Sequence, residues 1–430
     1  MSGRFIPRRL LRPLLYTSAV TAAGGLAVRI STQYRDSGSD PATQISPVAP
    51  PKFPAFKTRD EQIAALKRSG AIHNPLDHTL SSQSKTLSLS SGDDIYDLLV
   101  IGAGATGAGI ALDAATRGLK VALIERDDFS SGTSSKSTKL VHGGVRYLEK
   151  AVWNLDYSQY KLVREALRER QSFLDIAPHL SSWIPVMVPL QNWFQAPYFW
   201  AGAKFYDFLA GSSGVESSYF LNRRKVLEAF PLLKKDNLFG GLVYYDGQHN
   251  DSRMNIALAM TAALYGSTIV NHLEVIGLEK DTAGKLCGAR VRDLISERNG
   301  SSGNNEFVVR TRGIINATGP FVDAIQQMDE PQKRDIVEPS LGVHVVLPGY
   351  LSPEKMGLID PSSSDGRVVF FLPWEGSTIA GTTDTPCGIS QNPIPIEEDI
   401  NWVLNEIRGC LSPNVDIRRS DVLAAWAGMY

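Results

Sequence analysis

The chain has 430 residues, of which 43% are hydrophobic, and this length is enough for two or three globular domains. Its 44 basic and 45 acidic residues leave a net charge of −1, which argues against nucleic acid as a partner. The three cysteines, Cys287, Cys387 and Cys410, are too far apart for a disulfide framework or a zinc motif, so we predict no metal site.

The amino terminus differs from the rest in composition. Residues 1–35 contain six arginines and no acidic residue, which is typical of a mitochondrial presequence, or transit peptide. Within it, residues 14–28 are uncharged and mostly apolar, but these 15 residues fall short of the ~20 that a membrane-spanning helix needs. We therefore predict a presequence with a sorting or anchoring segment; a transmembrane helix and a disordered basic tail are the alternatives.

Residues 36–94 are predicted to be a linker, because proline, serine and other small polar residues dominate both of its ends. One short helix interrupts it. Thr58 and Glu61 have the spacing of a capping box, and Ile63 and Leu66 begin an amphipathic pattern. The globular part is expected to begin near Ile95.

Residues 97–125 (DLLVIGAGATGAGIALDAATRGLKVALIE) have the order strand, glycine turn, helix, strand and acid that a bound dinucleotide requires. Gly102 allows the tight exit from the strand, Gly104 lets the backbone approach a pyrophosphate, and Gly107 lets the helix pack closely on the sheet. Glu125 lies 23 positions after Gly102, near the roughly 20 expected for a carboxylate that binds ribose hydroxyls. An ordinary βαβ unit with tight glycine packing is the alternative.

Later segments predict how the fold continues. Residues 154–176 have apolar side chains at helical spacing, and residues 251–266 read as a helix capped by Asp251 and stopped by Gly266. A strand over residues 310–316 leads into the turn at 316–320 (NATGP), where an open α/β sheet binds its ligands. Beyond residue 338, short β-rich runs predict a second, mostly antiparallel sheet.

Residues 183–208 contain nine aromatic side chains among few charges. Burial in the core is one explanation for them. A partly exposed patch that meets lipid or a hydrophobic electron acceptor is the other.

Four motifs together resemble the FAD-dependent glycerol-3-phosphate dehydrogenases, in particular their mitochondrial, quinone-linked form. They are the glycine turn at 102–107, residues 134–149 (SSKSTKLVHGGVRYLE), the turn at 316–320, and FLPW with GTTD within residues 371–384. The resemblance covers residues 58–430. Its most specific part is HGGVRYLE, followed by residues 244–255 (YYDGQHNDSRMN).

The resemblance implies an α/β fold with two discontinuous domains. A glutathione-reductase-like, Rossmann-type FAD-binding domain would take residues 95–182 and 236–335. An α+β substrate-capping domain with an antiparallel sheet would take residues 183–235 and 336–430.

The resemblance also implies an activity in glycerol metabolism. Hydride transfer to FAD would oxidise sn-glycerol 3-phosphate to dihydroxyacetone phosphate, and the electrons would pass to ubiquinone. Such an enzyme associates with the inner mitochondrial membrane, facing the intermembrane space, and a homodimer is compatible with the resemblance.

For the substrate, the resemblance implies contacts from Arg146 and Tyr147, since the arginine fork suits a dianionic phosphate. His142 is the first candidate for proton transfer or oxyanion support, and His344 is the rival base. A turn histidine that bonds its own backbone is the alternative for His142. Besides Gly102, Gly104, Gly107 and Glu125, the residues implied near the FAD pyrophosphate and ring are Ser134, Ser137, Lys139, Gly143, Gly144, Thr318 and Gly319.

The sequence departs from the family at its end. Family members continue after Gly428 with an Arg-Pro-Leu motif, whose arginine is a second substrate contact, whereas this sequence reads Met429-Tyr430. We therefore expect a truncated chain with weaker FAD binding and lower turnover. Losing a charged hydrogen-bond partner worth ~2–3 kcal/mol would reduce kcat/KM roughly thirty- to over a hundredfold.

Two other functions compete with this dehydrogenase activity. The chain could be a truncated, non-catalytic fragment that only binds a nucleotide, as its sequence end suggests. It could also be a related flavin oxidase of amines or amino acids, although HGGVRYLE argues against that reading.

Overall fold

The structure, a computed structural model, describes residues 55–71, 94–144, 154–211, 214, 216–298, 305–360 and 368–430. Two β-sheets organise this part of the chain, and helices cover their faces. The α-helices of the described residues are α1 (Arg59–Gly70), α2 (Ala105–Thr116), α3 (Tyr157–Ile176), α4 (Gln195–Ala210), α5 (Arg223–Ala229), α6 (Asp251–Leu264), α7 (Leu294–Arg298), α8 (Val322–Asp329) and α9 (Glu397–Cys410). The strands are β1 (Tyr96–Ile101), β2 (Val121–Ile124), β3 (Leu140–Val141), β4 (Ser181–Leu190), β5 (Tyr219–Asn222), β6 (Gly240–His249), β7 (Thr268–Val270), β8 (Leu273–Lys280), β9 (Leu286–Asp293), β10 (Glu306–Asn316), β11 (Ser340–Pro348), β12 (Gly357–Asp360), β13 (Val369–Trp374), β14 (Ser377–Gly381), β15 (Thr385–Pro386) and β16 (Ala424–Met429).

The smaller sheet has the order β7-β2-β1-β10-β9-β8. Its first four strands run parallel, and β9 and β8 continue it antiparallel. Every residue of β2 is buried, as expected for a parallel strand covered on both faces. Helices α2 and α6 cover one face through small side chains such as Ala108, Ala111 and Ala259. The predicted βαβ unit of an α/β fold is therefore confirmed.

Helix α1 covers the opposite face of the smaller sheet. Its side chains Ile63 and Leu66 are buried in the cluster formed with β1, β9 and β10. Thr58 and Glu61 form the predicted capping box. Arg59 anchors the helix start, because its guanidinium lies 2.8 Å from the Asp293 carboxylate.

The larger sheet has the order β15-β11-β14-β13-β12-β4-β6-β3, with β16 paired to β11 and β5 to β6. Its pairs are antiparallel except for β12 with β4. The predicted antiparallel sheet after residue 338 is present, and strands from earlier in the chain extend it. Strand β6, inside the range 236–335 assigned to the cofactor domain, pairs with β4 of this sheet from Gly240 to His249. The domain boundaries themselves stay a prediction.

Two predicted helix starts are wrong in detail. Helix α3 begins at Tyr157 instead of residue 154, because the Asp156 side chain caps it by accepting from the backbone of Ser158. Helix α6 is capped by Asn250, whose side chain accepts from the Arg253 backbone, and not by Asp251. The Asp251 side chain instead forms a buried ion pair with Lys139.

The predicted presequence and most of the predicted linker lie outside the described residues. Within the described ranges, no helix combines the length and the apolar character needed to cross a bilayer.

Replacing Leu66 with alanine should lower the free energy of unfolding by about 2–5 kcal/mol, because this fully buried side chain fills the contact between α1 and the sheet. The control is Arg68→Ala on the exposed face of α1, which should change it by less than about 0.5 kcal/mol. Urea denaturation measures both. Equal stability of the two variants would contradict the docking of α1.

Candidate cofactor and substrate site

The glycine turn after β1 is closely packed. Gly102 has a φ of 97°, which favours glycine. A Cβ atom on Gly107 would lie 1.8 Å from the Gly102 carbonyl oxygen, so only glycine allows α2 to start this close to β1. Gly107 therefore allows the close packing of helix and sheet that the sequence predicts.

The Glu125 carboxylate lies at the end of β2, beside this turn. It accepts hydrogen bonds from the Ala103 backbone (2.7 Å) and from the Asp127 backbone (2.9 Å). The Ser134 hydroxyl accepts from the backbone of Ala105 in the first turn of α2 (2.9 Å). Polar side chains therefore surround the N-terminus of α2, where an anionic group binds favourably.

A cavity of about 640 Å³ opens over the glycine turn. Its volume lies within the roughly 300–1,000 Å³ typical of pockets for small molecules and cofactors. The Arg126 guanidinium lies 5.7 Å from the centre of the Phe321 ring on one wall, and Met429 of β16 contributes to another. The predicted cofactor residues that line the cavity are Gly102, Gly104, Glu125, Ser134, Thr318 and Gly319.

The turn at 316–320 follows β10, as predicted, and lies at the same edge of the sheet. The Asn316 side chain accepts from the Thr318 backbone and hydroxyl and donates to the Val322 carbonyl. These bonds hold Thr318 and Gly319 at the mouth of the cavity.

Ser137 and Lys139 do not line the cavity. The Lys139 ammonium lies 2.6 Å from the Asp251 carboxylate, and both side chains are more than nine-tenths buried. The Ser137 hydroxyl and backbone also donate to Asp251. The ammonium lies 5.2 Å from the centre of the Trp426 ring, so this pair joins the polar loop before β3, the start of α6 and strand β16.

His344 is fully buried on β11. Its Nε2 pairs with the Thr138 hydroxyl at 2.9 Å, and its ring stacks on Trp426 with centres 5.5 Å apart. Burial, and secondly the Lys139 ammonium, lower the pKa of His344 to about 3, so the imidazole is neutral at physiological pH. Its Nδ1 has no hydrogen-bond partner among the described residues. The unpaired nitrogen is an acceptor site, but a pKa this low makes the imidazole a weak base, because a general base works best with a pKa near the operating pH.

His142 is exposed, and its Nδ1 accepts from the backbone of Gly144 at 3.2 Å. Gly144 has a φ of 74°. The structure therefore has the arrangement given as the alternative for His142, a turn histidine that bonds its own backbone. Gly143 and Gly144 lie in this turn and not in the cavity lining, while Arg146 and Tyr147 lie outside the described residues.

The sequence reading missed three polar residues of β6 and α6. Asp251 accepts from Ser137 and Asp246 accepts from the Gly143 backbone, both within the 134–149 motif, and the Asn255 side chain donates to the Ala103 carbonyl in the glycine turn (2.9 Å). All three are buried. The signal was available, because they belong to the 244–255 segment that ranked second in specificity. Among the described residues, no group of three histidine, cysteine or acidic side chains could hold a metal ion.

Comparison with known proteins agrees with this site. Residues 97–430 match the family model described as FAD dependent oxidoreductase. The mitochondrial glycerol-3-phosphate dehydrogenases of Mus musculus and Homo sapiens are each 53% identical to this chain, over 88% of its length and 52% of theirs. The chain thus spans about half the length of these curated relatives.

A solved structure is also similar to this chain. The glycerol-3-phosphate dehydrogenase of Bacillus halodurans, complexed with FAD, superposes with a TM-score of 0.62 at 31% identity, covering 78% of this chain and 56% of that one. Together with the family match, which covers well over half of the sequence, this identifies the chain as a member of the FAD dependent oxidoreductase family.

Proposed function

We propose that this chain binds FAD and oxidises sn-glycerol 3-phosphate to dihydroxyacetone phosphate. The observation that carries the proposal is the cavity over the glycine turn, in a chain 53% identical to mitochondrial glycerol-3-phosphate dehydrogenases. The glycine oxidase of Bacillus cereus and the L-amino acid deaminase of Proteus vulgaris, which share the fold, are 20% and 13% identical, so they support the fold alone.

The residues present fit FAD. The backbone at Gly102 and Gly104, the N-terminus of α2 and the Ser134 hydroxyl would hold the pyrophosphate. Glu125 would bind the ribose with the carboxylate lone pairs that Ala103 and Asp127 leave. FAD supplies, when bound, a two-electron acceptor for the hydrogen on C2 of the substrate.

The protein would supply the base. We propose that Nδ1 of His344 takes the proton of the C2 hydroxyl, in the tautomer whose Nε2–H donates to the Thr138 hydroxyl, and that the bound dianionic phosphate raises the pKa of His344 from its low value. His344 does not itself line the cavity; its partner across β11 and β16 is Trp426, which lies three residues before the cavity-lining Met429. Arg146 and Tyr147 are proposed to bind the phosphate, and His142 is kept as the second candidate for proton transfer.

The proposed electron acceptor is ubiquinone, at the intermembrane-space side of the inner mitochondrial membrane. The names of the relatives support a mitochondrial location. An aromatic surface, formed by Trp193, Phe194, Trp200 and Phe208, supports contact with lipid. Trp200 and Phe208 of α4 are 50% and 55% exposed, whereas Tyr206 of the same helix is buried, so the aromatic segment is partly buried and partly exposed.

Replacing Gly107 with alanine should abolish most FAD binding, since the added Cβ would lie 1.8 Å from the Gly102 carbonyl and displace the cofactor cradle. The matched control is Gly109→Ala on the same helix, where an added Cβ meets nothing within 4 Å. Flavin absorbance after gel filtration with FAD measures both. Comparable flavin content in the two variants would argue against the cradle.

Glycerol 3-phosphate should bleach the flavin absorbance of the purified chain without oxygen, and His344→Gln should slow this by roughly 10²–10⁴-fold without loss of bound flavin. The control is His179→Gln, an exposed histidine, which should react like the parent. Flavin that binds but is not reduced would leave the non-catalytic fragment as the better reading, and reduction by amino acids alone would favour the oxidase. Adding a soluble ubiquinone analogue to the reduced protein then tests the acceptor.

The double variant Trp200→Ser/Phe208→Ser should weaken binding to vesicles of mitochondrial lipid composition, because it removes the most exposed rings of α4. Ile394→Ser, which removes an exposed apolar side chain elsewhere, is the control. Co-sedimentation with vesicles provides the measurement. Equal losses in both variants would mean that the aromatic surface has no special part in lipid contact.

A further inference from the structure

A buried cluster of charged and hydroxyl groups lies beneath the turn of residues 142–144. The Arg170 guanidinium of α3 lies 2.7 Å from the Asp246 carboxylate of β6, and their side chains are 3% and 1% exposed. The Tyr206 hydroxyl of α4 donates to the same carboxylate oxygen at 3.2 Å and accepts from Arg170 at 3.1 Å. Removing charges from water is unfavourable, so a pair buried this deeply is weak support for stability alone.

The cluster meets the turn at Gly143. The Gly143 backbone donates to the Asp246 carboxylate at 3.3 Å. A Cβ atom on Gly143 would lie 2.2 Å from the Tyr206 hydroxyl and 2.5 Å from the Leu167 side chain. Gly143 does not have a positive φ, so the close approach of α3 and α4 explains the glycine, not its backbone conformation.

We infer that Asp246, Arg170 and Tyr206 are positioning residues that fix the turn of residues 142–144. Three elements distant in sequence, α3, α4 and β6, each contribute one member. The Asp246 oxygen is the common acceptor for a guanidinium, a phenol and a backbone amide. The proposed function assigns substrate contacts to Arg146 and Tyr147, which follow this turn in sequence, whereas the turn does not line the cofactor cavity, so we expect the cluster to affect the substrate and not FAD. This consequence rests on the proposed function.

The direct test is Tyr206→Phe, which removes the hydroxyl and leaves the ring packing and the Arg170–Asp246 pair. The matched control is Tyr96→Phe, which removes an equally buried hydroxyl that donates to Thr268 in the smaller sheet (2.9 Å). Both variants should lower the midpoint of thermal unfolding by similar amounts. Only Tyr206→Phe should speed hydrogen exchange of the amides in the turn, measured by mass spectrometry.

A second pair of variants distinguishes a specific effect on the turn from a general loss of stability. Gly143→Ala should disorder the turn, and Tyr206→Phe in the same chain should partly restore it, because the hydroxyl is the atom nearest to the added Cβ. For the FAD-loaded chain, Tyr206→Phe should raise the KM for glycerol 3-phosphate roughly two- to tenfold with the Kd for FAD unchanged, because the lost hydroxyl acts on the substrate only through the turn.

Unchanged exchange in the turn of Tyr206→Phe, or an equal increase in Tyr96→Phe, would overturn the inference. A chain that binds FAD but shows no turnover in any variant would instead refute the proposed function, and hydrogen exchange would still decide the role of the cluster. A fall in kcat with an unchanged KM would also contradict a positioning role for substrate contacts.

Discussion

The ion pair between Lys139 and Asp251 is the constraint on which the site geometry depends. It joins the polar loop that follows β2 to the first turn of α6, and so ties the larger sheet to the smaller one. The loop on one side of the pair brings Ser134 to the start of α2, and the neighbouring Thr138 reaches His344. Removing either partner would leave an uncompensated buried charge. Loss of one partner would therefore lower the free energy of unfolding by about 3–5 kcal/mol.

The parts of the fold that depend on local spacing could be read from the sequence. The glycine turn, the stop of α6 near Gly266 and the strands after residue 338 are of this kind, because each is set by backbone conformation or by a short pattern. The capping residue of α6 could not be predicted from the sequence. Asn250 and Asp251 are both good capping residues, and only the distant Lys139 decides which of them is free to cap.

The same limit applies to the site. The helical spacing of apolar residues over 154–176 agrees with the buried side chains of Val163, Leu167 and Leu174 on α3, yet Arg170 lies on that face too. A charged residue is normally expected in solvent, and its partner Asp246 is 76 positions away, so no local pattern could reveal the pair. The resemblance assigned Ser134, Ser137 and Gly143 to one cofactor site because they belong to one continuous motif. In the structure, Ser134 lines the cofactor cavity, Ser137 bonds to Asp251 and Gly143 bonds to Asp246.

Helix α4 faces two environments at once. Its outer side presents Trp200 and Phe208, and its inner side brings the Tyr206 phenol to Asp246 at 3.2 Å. Hydrogen bonds weaken steeply beyond about 3.5 Å, so sliding this helix by a fraction of one residue's rise would break that contact. A molecule that binds the outer rings and shifts the helix would therefore also change the contacts at Asp246 and Gly143, and the order of that turn would affect the affinity of the molecule.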